Sequence, residues 1–467
     1  MNRQQTIRRW KLRGVLGTLV LLIAAAPSLL LSQTRQPNIV LIVSDDQGYA
    51  DLGCCGRPEL KTPNLDKLVS EGVRLTSFYV SWPACTPSRG SFLTGRYPQR
   101  NGLYDMIRNN TADYGVTFTP ATYAVSPEMT LGLDLREVTI AQVLKKAGYQ
   151  TGIFGKWDSG RARRFLPLQR GFDTFFGFCN TGIDYFTHER YGYPSMFRNN
   201  DEIKEEGYAT DLFARESLEF IRRNRQRPFF LYVPFNAPHG ASNFNRDGAQ
   251  APGDYIRMYG GEPPGNRRER YLGSVSSMDH AIGRILAELD EHQLRDDTLV
   301  IFFSDNGGSG DASNGPLRGR KAQMFEGGIR VLAAARWPGR IPANKVNGEF
   351  LTALEVLPTL AGVAGAALPD SVVLDGFDML PVLRGKAASK RREMYWQRRD
   401  DKAARYENWK WVESERGSGL FDLSKDIGEQ NDLSVSRPEM LSEIKSRWEA
   451  WRKEMDDAEV RGPFRNY

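Results

Sequence analysis

Six polar side chains that could bind ions or activate water come just after, or at the end of, four short apolar segments. Each segment has the continuous β-branched or aromatic character of a buried parallel strand. The carboxyl ends of such strands meet at one edge of an open sheet, where ligands bind. We therefore expect these side chains to lie together in one ligand site. They are Asp45, Asp46, Lys156, His239, Asp305 and Asn306.

Oxygen donors dominate this set and indicate which cation it would bind. Asp45, Asp46, Asp305 and Asn306 are hard ligands, which favour Ca²⁺ or Mg²⁺. A zinc or iron site is not expected, because the chain has only four histidines and four cysteines. A single aspartate of this kind would be read as a helix cap or a turn residue. Two acidic pairs after buried strands favour a cation instead, because crowded carboxylates repel one another without one.

Strands alternate with helices along most of the chain, and these elements would position the site. Buried strands are predicted at 38–44, 149–154, 228–234, 298–304 and 331–336. Helices are predicted at 63–72, 139–147, 210–224 with Thr210 as the cap, 267–294 and 351–360. This order predicts an α/β fold with a large, mostly parallel central sheet and helices on its faces. After residue 365, short alternating segments and a helix at 438–457 predict a small C-terminal antiparallel sheet with one helix.

The net charge of the chain indicates which kinds of substrate and partner to expect. The net charge of +6 and the pI near 9.0 favour an anionic small molecule or polysaccharide as the substrate. We expect no nucleic acid partner, because no long basic stripe with interleaved aromatic residues is present. Cys54, Cys55, Cys85 and Cys179 allow three disulfide connectivities. The adjacent Cys54 and Cys55 are not expected to pair with each other, and a single reactive cysteine is an equally good reading.

A second cluster is the segment Cys85-Thr86-Pro87-Ser88-Arg89, which Leu93-Thr94-Gly95 follows. By composition alone it is a turn that opens a helix, with a buried or disulfide-bonded cysteine near a serine cap. The order Cys-x-Pro-Ser-Arg followed by Leu-Thr-Gly resembles the signature of the type I sulfatase family, which belongs to the alkaline phosphatase superfamily. In that family the cysteine is oxidised after synthesis to formylglycine.

The resemblance covers nearly the whole mature chain. Residues 37–48 resemble the family's opening strand with its metal-binding aspartates. The other segments that resemble family motifs are Gly155-Lys156-Trp157, Ala237-Pro238-His239, Ser304-Asp305-Asn306-Gly307, residues 317–321 with 326–330, and residues 420–423 with 429–433. An alkaline-phosphatase-like fold is therefore expected.

This resemblance implies the hydrolysis of a sulfate ester to an alcohol and inorganic sulfate. The family chemistry implies that hydrated formylglycine at position 85 attacks sulfur with one hydroxyl, and that its other hydroxyl later expels the sulfate. A sulfated carbohydrate is preferred over a simple aryl ester as the substrate. A formylglycine-generating maturation enzyme is the implied partner. The implied ligands of one calcium ion are Asp45, Asp46, residue 85, Asp305 and Asn306.

The resemblance also assigns roles to the cationic residues. Arg89 would stabilise the nucleophile as a fixed positive charge. Lys156 and Lys321 would bind sulfate oxygens as point charges. His239 would hydrogen-bond the ester oxygen and protonate the leaving alcohol.

One position departs from the family pattern. The lysine motif continues to Asp158, where the family has a histidine that is thought to assist sulfate expulsion. An aspartate can accept the same proton, so Asp158 is a candidate catalytic residue; the alternative is that it pairs with a nearby arginine. Two further hypotheses stay open, a phosphate or phosphonate monoesterase of the same superfamily and a catalytically silent sulfated-glycan-binding protein.

The N-terminus predicts export. Five basic residues precede or border the almost wholly apolar run 15–31, a pattern typical of a secretory signal that is cleaved just after Leu31. The alternative is an uncleaved anchor, the one membrane contact we expect. We divide the chain into an export signal or anchor at 1–34, a catalytic α/β domain at 35–365 and a C-terminal α+β subdomain at 366–467. A periplasmic or extracellular location follows from this assignment.

Overall fold

The computed structural model describes residues 36–108 and 116–462. Within them lie a large mixed sheet, a small four-stranded sheet and a two-stranded ribbon, together with the helices that cover them. The export signal or anchor predicted at 1–34 lies outside the described residues. No helix in the described ranges has the length and the apolar character needed to cross a bilayer.

The secondary structure follows in chain order. The strands are β1 (Asn38–Ser44), β2 (Val73–Tyr79), β3 (Gln150–Lys156), β4 (Thr174–Phe178), β5 (Glu189–Arg190), β6 (Tyr193–Pro194), β7 (Met196–Arg198), β8 (Asp201–Glu202), β9 (Phe229–Pro234), β10 (Thr298–Ser304), β11 (Arg330–Arg336), β12 (Lys345–Asn347), β13 (Leu351–Thr352), β14 (Glu393–Arg398), β15 (Asp401–Tyr406), β16 (Trp409–Ser414) and β17 (Gly417–Asp422). The α-helices are α1 (Pro63–Ser70), α2 (Cys85–Thr94), α3 (Pro98–Asn101), α4 (Pro120–Ala124), α5 (Pro127–Thr130), α6 (Ile140–Lys146), α7 (Ala209–Asn224), α8 (Gly253–Arg257), α9 (Arg267–Glu291), α10 (Glu326–Ile329), α11 (Val356–Ala364), α12 (Leu380–Leu383) and α13 (Pro438–Asp457). Short 3-10 turns lie at Gly53–Cys55, Arg163–Phe165, Pro167–Arg170 and Ala353–Glu355.

The large sheet has eleven strands in the described ranges, in the order β12-β2-β11-β10-β1-β9-β3-β4-β7-β8, with β13 paired to β2. The neighbours β10, β1, β9, β3 and β4 run parallel to one another. Antiparallel strands β11 and β7 flank this parallel set. The mostly parallel central sheet expected from the sequence is confirmed, and its parallel strands direct their carboxyl ends to one edge.

The central strand β1 shows why its sequence is apolar without interruption. Alternate side chains of a strand point to opposite faces of the sheet. Ile39, Leu41 and Val43 lie in the core on one face, with residues of α6 and α11. Val40 and Ile42 lie in the core on the other face, with residues of α1, α7 and α9. Both faces are covered, so every position of β1 is buried.

The C-terminal strands β14 to β17 form an antiparallel meander, and α13 packs against it. Ile444, Trp448, Trp451 and Met455 of α13 share a core with this sheet, which confirms the small antiparallel sheet with one helix. The tryptophans are packed in the core. The domain boundary near residue 365 stays a prediction.

Several elements differ from the expectations. The predicted helix at 351–360 begins only at Val356, because β13 and a 3-10 turn capped by Thr352 and Glu355 precede it. Thr210 lies inside α7, whose N-cap residue is Tyr208. Strands β2, β4 and β15 were not expected, since polar residues or glycine interrupt their apolar pattern. All four cysteines are free thiols, with the Sγ atoms of Cys54 and Cys55 3.6 Å apart.

Candidate active site

The strand ends bring the predicted polar residues to one place. Asp45 and Asp46 directly follow β1, and Asp305 follows its parallel neighbour β10. Lys156 is the last residue of β3, and His239 lies in the loop after β9. The backbone N–H of Asp46 donates to Oδ1 of Asp305 at 3.3 Å, so the two acidic segments are in direct contact.

Cys85 and Arg89 come from α2, which lies under this edge. All ten residues of α2 are buried. Cys85 is its first residue, and Arg89 follows four residues later on the same helical face. The Cys85 thiol donates to Oδ1 of Asp45 at 3.3 Å. The Arg89 guanidinium binds Oδ2 of Asp305 through Nε at 3.0 Å and Nη2 at 2.7 Å. The first helical turn thereby places residue 85 among the carboxylates.

Two lysines approach the adjacent carboxylates of Asp45 and Asp46, Lys156 from the end of β3 and Lys321 from the loop between β10 and α10. Lys156 is fully buried, and its Nζ lies 2.6 Å from Oδ2 of Asp45. The Nζ of Lys321 lies 2.7 Å from Oδ1 of Asp46 and 3.4 Å from Sγ of Cys85. The Lys321 ammonium therefore contacts residue 85, and the Lys156 ammonium binds the carboxylate that residue 85 also contacts, so both charges favour an anionic group at that position.

Electrostatic interactions in this crowded cluster shift several pKa values. Burial alone would raise the pKa of Asp46, but the charge of Lys321 and the hydrogen bonds from Asn306 and Lys321 outweigh it and lower that pKa. Burial and the neighbouring Asp45 raise the pKa of Asp305. The same two causes raise the pKa of the Cys85 thiol well above its usual value. An unmodified Cys85 is therefore a protonated thiol in this setting, and a thiol is a weak nucleophile.

His239 faces the cluster through one ring nitrogen. Its Nδ1 lies 2.6 Å from the carbonyl oxygen of Gly240, so Nδ1 carries a proton and donates to that oxygen. Its Nε2 lies 3.7 Å from Oδ2 of Asp46. Burial and the charge of Lys321 lower the pKa of His239 to about 3. The imidazole is neutral in this state, and Nε2 is its acceptor atom.

Asp158 is buried beside Lys156 and Thr86. Its Oδ1 accepts a hydrogen bond from Oγ1 of Thr86 at 2.9 Å. Its Oδ2 lies 3.5 Å from Nζ of Lys156 and has no hydrogen-bond partner among the described residues. Burial raises the pKa of this carboxyl. The nearby Arg161 binds Glu202 instead, so the alternative pairing with that arginine is not observed.

The donor atoms fit a hard cation. Oδ1 of Asn306 is buried without a hydrogen-bond partner in the described structure, while Nδ2 of Asn306 donates to Oδ1 of Asp46 at 2.8 Å. The carboxylates of Asp45 and Asp46 supply further oxygens. Four potential ligand atoms lie within 4.8 Å of one another, one each from Asp45, Asp46, Cys85 and His239. Asp305 instead binds Arg89, and a thiol suits calcium poorly, whereas an oxygen at position 85 would complete an oxygen site.

Some residues of the site were not expected from the sequence. The Ser309 hydroxyl donates to Oδ2 of Asp46 at 2.8 Å, and Thr86 holds Asp158. Oγ of Ser304 donates to the carbonyl oxygen of Asn306 at 2.8 Å and accepts from the N–H of Gln47 at 3.1 Å. Single serine and threonine residues carry no spacing signal, so the role of these three becomes visible only when the strands are aligned.

The site opens into a cavity of about 180 Å³. His239 and Lys321 form part of its wall, together with Trp82, Arg398 and Arg399. The last two come from the small sheet, so both sheets line the entrance to the site.

Fold and site together indicate a hydrolase with an anion-binding site and a group of residues that could hold a metal ion, and sequence comparison identifies its family. The chain matches the sulfatase family over residues 37–366 and belongs to it. It is 35% identical over 407 residues to N-acetylgalactosamine-6-sulfatase of Canis lupus familiaris, covering 83% of this chain and 72% of that protein. It is 33% identical over an alignment of 517 residues to arylsulfatase A of Homo sapiens, covering 96% and 93%.

The solved structures agree with this assignment. The crystal structure of Ps i-CgsB superposes with a TM-score of 0.79 and 31% identity, over 89% of this chain and 93% of that chain. The same protein has been solved in complex with k-i-k-neocarrahexaose, with the same coverage. The protein is thus a sulfuric ester hydrolase, which confirms the family and the enzyme class expected from the sequence.

Proposed function

We propose that this enzyme is an exported, calcium-dependent sulfatase that removes sulfate from a sulfated carbohydrate with formylglycine at position 85. The observation that carries the proposal is the position of Cys85. It is fully buried at the start of α2, 3.3 Å from a carboxylate oxygen of Asp45 and 3.4 Å from Nζ of Lys321. A residue placed there contacts both the oxygen-rich cluster and a fixed cation.

The buried cationic side chains would neutralise the negative charge of the sulfate ester, which is the main obstacle to its hydrolysis. The sulfur of a sulfate ester is shielded by anionic oxygens, so a catalyst must neutralise them before a nucleophile can approach. Lys156 and Lys321 lie on two sides of residue 85 and would bind sulfate oxygens. Arg89 lies below them, fully buried against Asp305, and holds that carboxylate in place.

The calcium ligands would be Asp45, Asp46, residue 85, Asp305 and Asn306. A bound calcium ion supplies positive charge to the ester oxygens and favours the ionised form of a hydroxyl beside it. The unpartnered Oδ1 of Asn306 and the two carboxylates after β1 support this assignment.

Two residues are placed to move protons. His239 would donate a proton from Nε2 to the leaving alcohol. That role needs the imidazolium form, which the negative charge of a bound sulfate ester favours. Asp158 would accept a proton from a hydroxyl of residue 85 through Oδ2, since Thr86, the residue after Cys85, holds its Oδ1.

Sulfated carbohydrates are the proposed substrate class. A relative of this chain is named for the 6-sulfate of N-acetylgalactosamine, and Ps i-CgsB was solved with a neocarrahexaose. The basic and apolar N-terminal run supports export, and formylglycine at position 85 requires a maturation enzyme as a partner.

Peptide mass spectrometry of the exported protein is the first test. The peptide that contains residue 85 should be about 18 Da lighter than its cysteine form, because the aldehyde replaces the thiol. The Cys85→Ala protein serves as the matched control without activity. An unmodified thiol, in a host that matures such motifs, would contradict the proposal.

Paired substrates separate the alternative functions. Purified enzyme with the aldehyde should hydrolyse 4-nitrophenyl sulfate faster than 4-nitrophenyl phosphate, whereas the reverse order would favour the monoesterase. Binding of sulfated oligosaccharides without sulfate release would favour the silent glycan-binding protein.

A further inference from the structure

The cavity over the active site continues past the turn that joins β14 to β15. A second cavity of about 330 Å³ lies on the other side of this turn. Asp105 and Arg399 line both cavities. The outer cavity also has Gln99, Gln397, Asp400 and Arg452 in its wall. The two cavities therefore form one groove, which we call the outer groove where it extends beyond Arg399.

Arg399 lies at the centre of this groove, at a turn position whose backbone conformation does not favour arginine. Its φ is +55°, in the left-handed region that glycine and asparagine adopt most readily at hairpin turns. The side chain is 63% exposed, and its Nε lies 3.2 Å from Oδ2 of Asp105. An exposed ion pair of this kind is worth at most about 1 kcal/mol. The guanidinium can therefore exchange Asp105 for an anionic ligand at little cost.

The cavity over the active site is basic, whereas the outer cavity pairs Arg399 and Arg452 with Asp105 and Asp400. In the described ranges, the cavity over the active site is lined by five cationic side chains and a single carboxylate, that of Asp105. Arg398, next to Arg399, keeps a contact with Asp401 at 3.2 Å and lies 5.8 Å over the ring of Trp82. A planar guanidinium binds the oxygens of sulfate or carboxylate in pairs, which gives direction as well as charge.

The outer groove also offers hydrogen-bond acceptors. The amide oxygens of Gln99 and Gln397 have no partner in the described structure, although both amide nitrogens donate to backbone oxygens. The terminal torsion of glutamine is broad, so a modest rotation would turn these oxygens towards the cavity. Sugar hydroxyls are the donors that such acceptors suit.

We propose that the outer groove binds a saccharide that carries a second anionic group, and that Arg399 is the residue that binds this group. The proposal rests on the proposed function, because the first anionic group is the sulfate at residue 85. It makes the substrate an oligosaccharide with at least two anionic groups, sulfate or carboxylate, and not a singly sulfated monosaccharide. The small C-terminal sheet then determines specificity through one turn.

Competition against a small reporter tests this proposal. The assay measures hydrolysis of 4-nitrophenyl sulfate in the presence of one of three competitors. These are N-acetylgalactosamine 6-sulfate, a chondroitin 6-sulfate tetrasaccharide and an ι-carrageenan tetrasaccharide. The tetrasaccharides should inhibit at lower concentration than the monosaccharide. In Arg399→Gln this advantage should fall about tenfold, which corresponds to about 1.4 kcal/mol. Stronger inhibition by the chondroitin tetrasaccharide, which alone carries carboxylates, would assign the second group as a carboxylate. Equal inhibition by the two tetrasaccharides would assign it as sulfate, which both of them carry.

Arg392→Gln is the matched control. Arg392 is a 68% exposed arginine just before β14 that pairs with Glu407 away from the groove, so its loss should change no inhibition constant. The proposal is overturned if neither tetrasaccharide inhibits better than the monosaccharide, or if Arg399→Gln and Arg392→Gln behave alike. Absence of hydrolysis would instead count against the proposed function. The affinities of the same probes, measured by calorimetry, would then test whether the outer groove binds the second anionic group.

Discussion

Two of the clusters of buried charge among the described residues contrast with each other, one at the active site and one where the small sheet meets the large sheet. In the second, which we call the junction cluster, Nζ of Lys410 lies 3.1 Å from Oε1 of Glu326 and 3.2 Å from Oε1 of Glu429. Oε2 of Glu326 accepts from the hydroxyl of Tyr79 at 2.5 Å and pairs with Arg330 at 3.2 Å. In both clusters, lysine and arginine side chains form ion pairs with carboxylates.

The clusters differ in how completely their polar atoms are satisfied. Among the described residues, every buried nitrogen and oxygen of the junction cluster has a partner, and Lys410 is fully buried. The active-site cluster keeps Oδ1 of Asn306 and Oδ2 of Asp158 without hydrogen-bond partners, and Lys321 and His239 are about one fifth exposed. A satisfied buried network stabilises a unique structure, whereas unsatisfied buried groups mark a site for a ligand.

The junction cluster also supports the active site through one loop. Lys410 donates to the carbonyl oxygen of Met324 at 3.0 Å, and the N–H of Glu326 donates to Oε2 of Glu429 at 2.7 Å. Arg318 donates to the carbonyl oxygen of Glu429 at 2.9 Å. These contacts lie on both sides of Lys321 in the sequence. The small sheet therefore holds the loop that presents Lys321 to residue 85.

Replacing the junction lysine should cost the most stability. Lys410→Met leaves Glu326 and Glu429 buried beside each other without their shared cation, and removal of one partner from a buried ion pair costs about 3–5 kcal/mol. Denaturant unfolding would measure the loss. Lys425→Met, an 83% exposed lysine of the same sheet region, should change stability by less than about 0.5 kcal/mol. Equal stability of the two variants would show that the junction cluster is not needed for folding.

Replacing the active-site lysine should affect rate more than stability. Lys321→Met removes one cation beside residue 85, and the loss of one group that stabilises transition-state charge lowers kcat by about 10²–10³, or about 3–4 kcal/mol. Turnover of 4-nitrophenyl sulfate and unfolding, both with calcium present, would be compared with Lys345→Met on the exposed edge strand β12. A Lys321→Met enzyme with normal turnover would remove Lys321 from the site.

The difference between the clusters also explains what the sequence could predict. Strands β1 and β10 were found because both of their faces are buried, which makes their sequences apolar throughout. The acidic pairs after them could be assigned to one site because parallel strands end at one edge. The junction cluster gave no such signal. Lys410 meets Glu326 across 84 residues of chain, and only the packing of the two sheets brings them together.

Calcium should stabilise one cluster and leave the other unchanged. A ligand that binds only the folded state at a hundred times its dissociation constant stabilises by about 2.7 kcal/mol. Removal of calcium with EGTA should therefore lower the Tm, and added calcium should restore it. Asp46→Asn should abolish this shift, whereas Glu326→Gln should keep it. A calcium-dependent shift of equal size in both variants would contradict the assignment of Asp46 as a ligand.

The smallest expected effect is a pH dependence of the junction cluster. Burial and the charge of Glu326 raise the pKa of Glu429, to about 7 against the opposing charge of Lys410. Between pH 4.5 and 7 the folded protein then keeps a proton on Glu429 that the unfolded chain has lost. Stability must therefore fall as pH rises through this window.

Glu429→Gln isolates this contribution, because glutamine keeps the shape and one acceptor oxygen but cannot titrate. Burial would raise the pKa of Glu326, but Lys410 and Arg330 outweigh it and lower that pKa, so Glu326 loses its stabilising charge only at more acidic pH. The difference in unfolding free energy between wild type and Glu429→Gln should therefore shift in favour of the variant between pH 5 and pH 8. Glu443→Gln, a half-exposed glutamate of α13, provides the control and should show no such shift. A constant difference across that range would mean that Glu429 is ionised in the folded state, with Lys410 holding both carboxylates as anions.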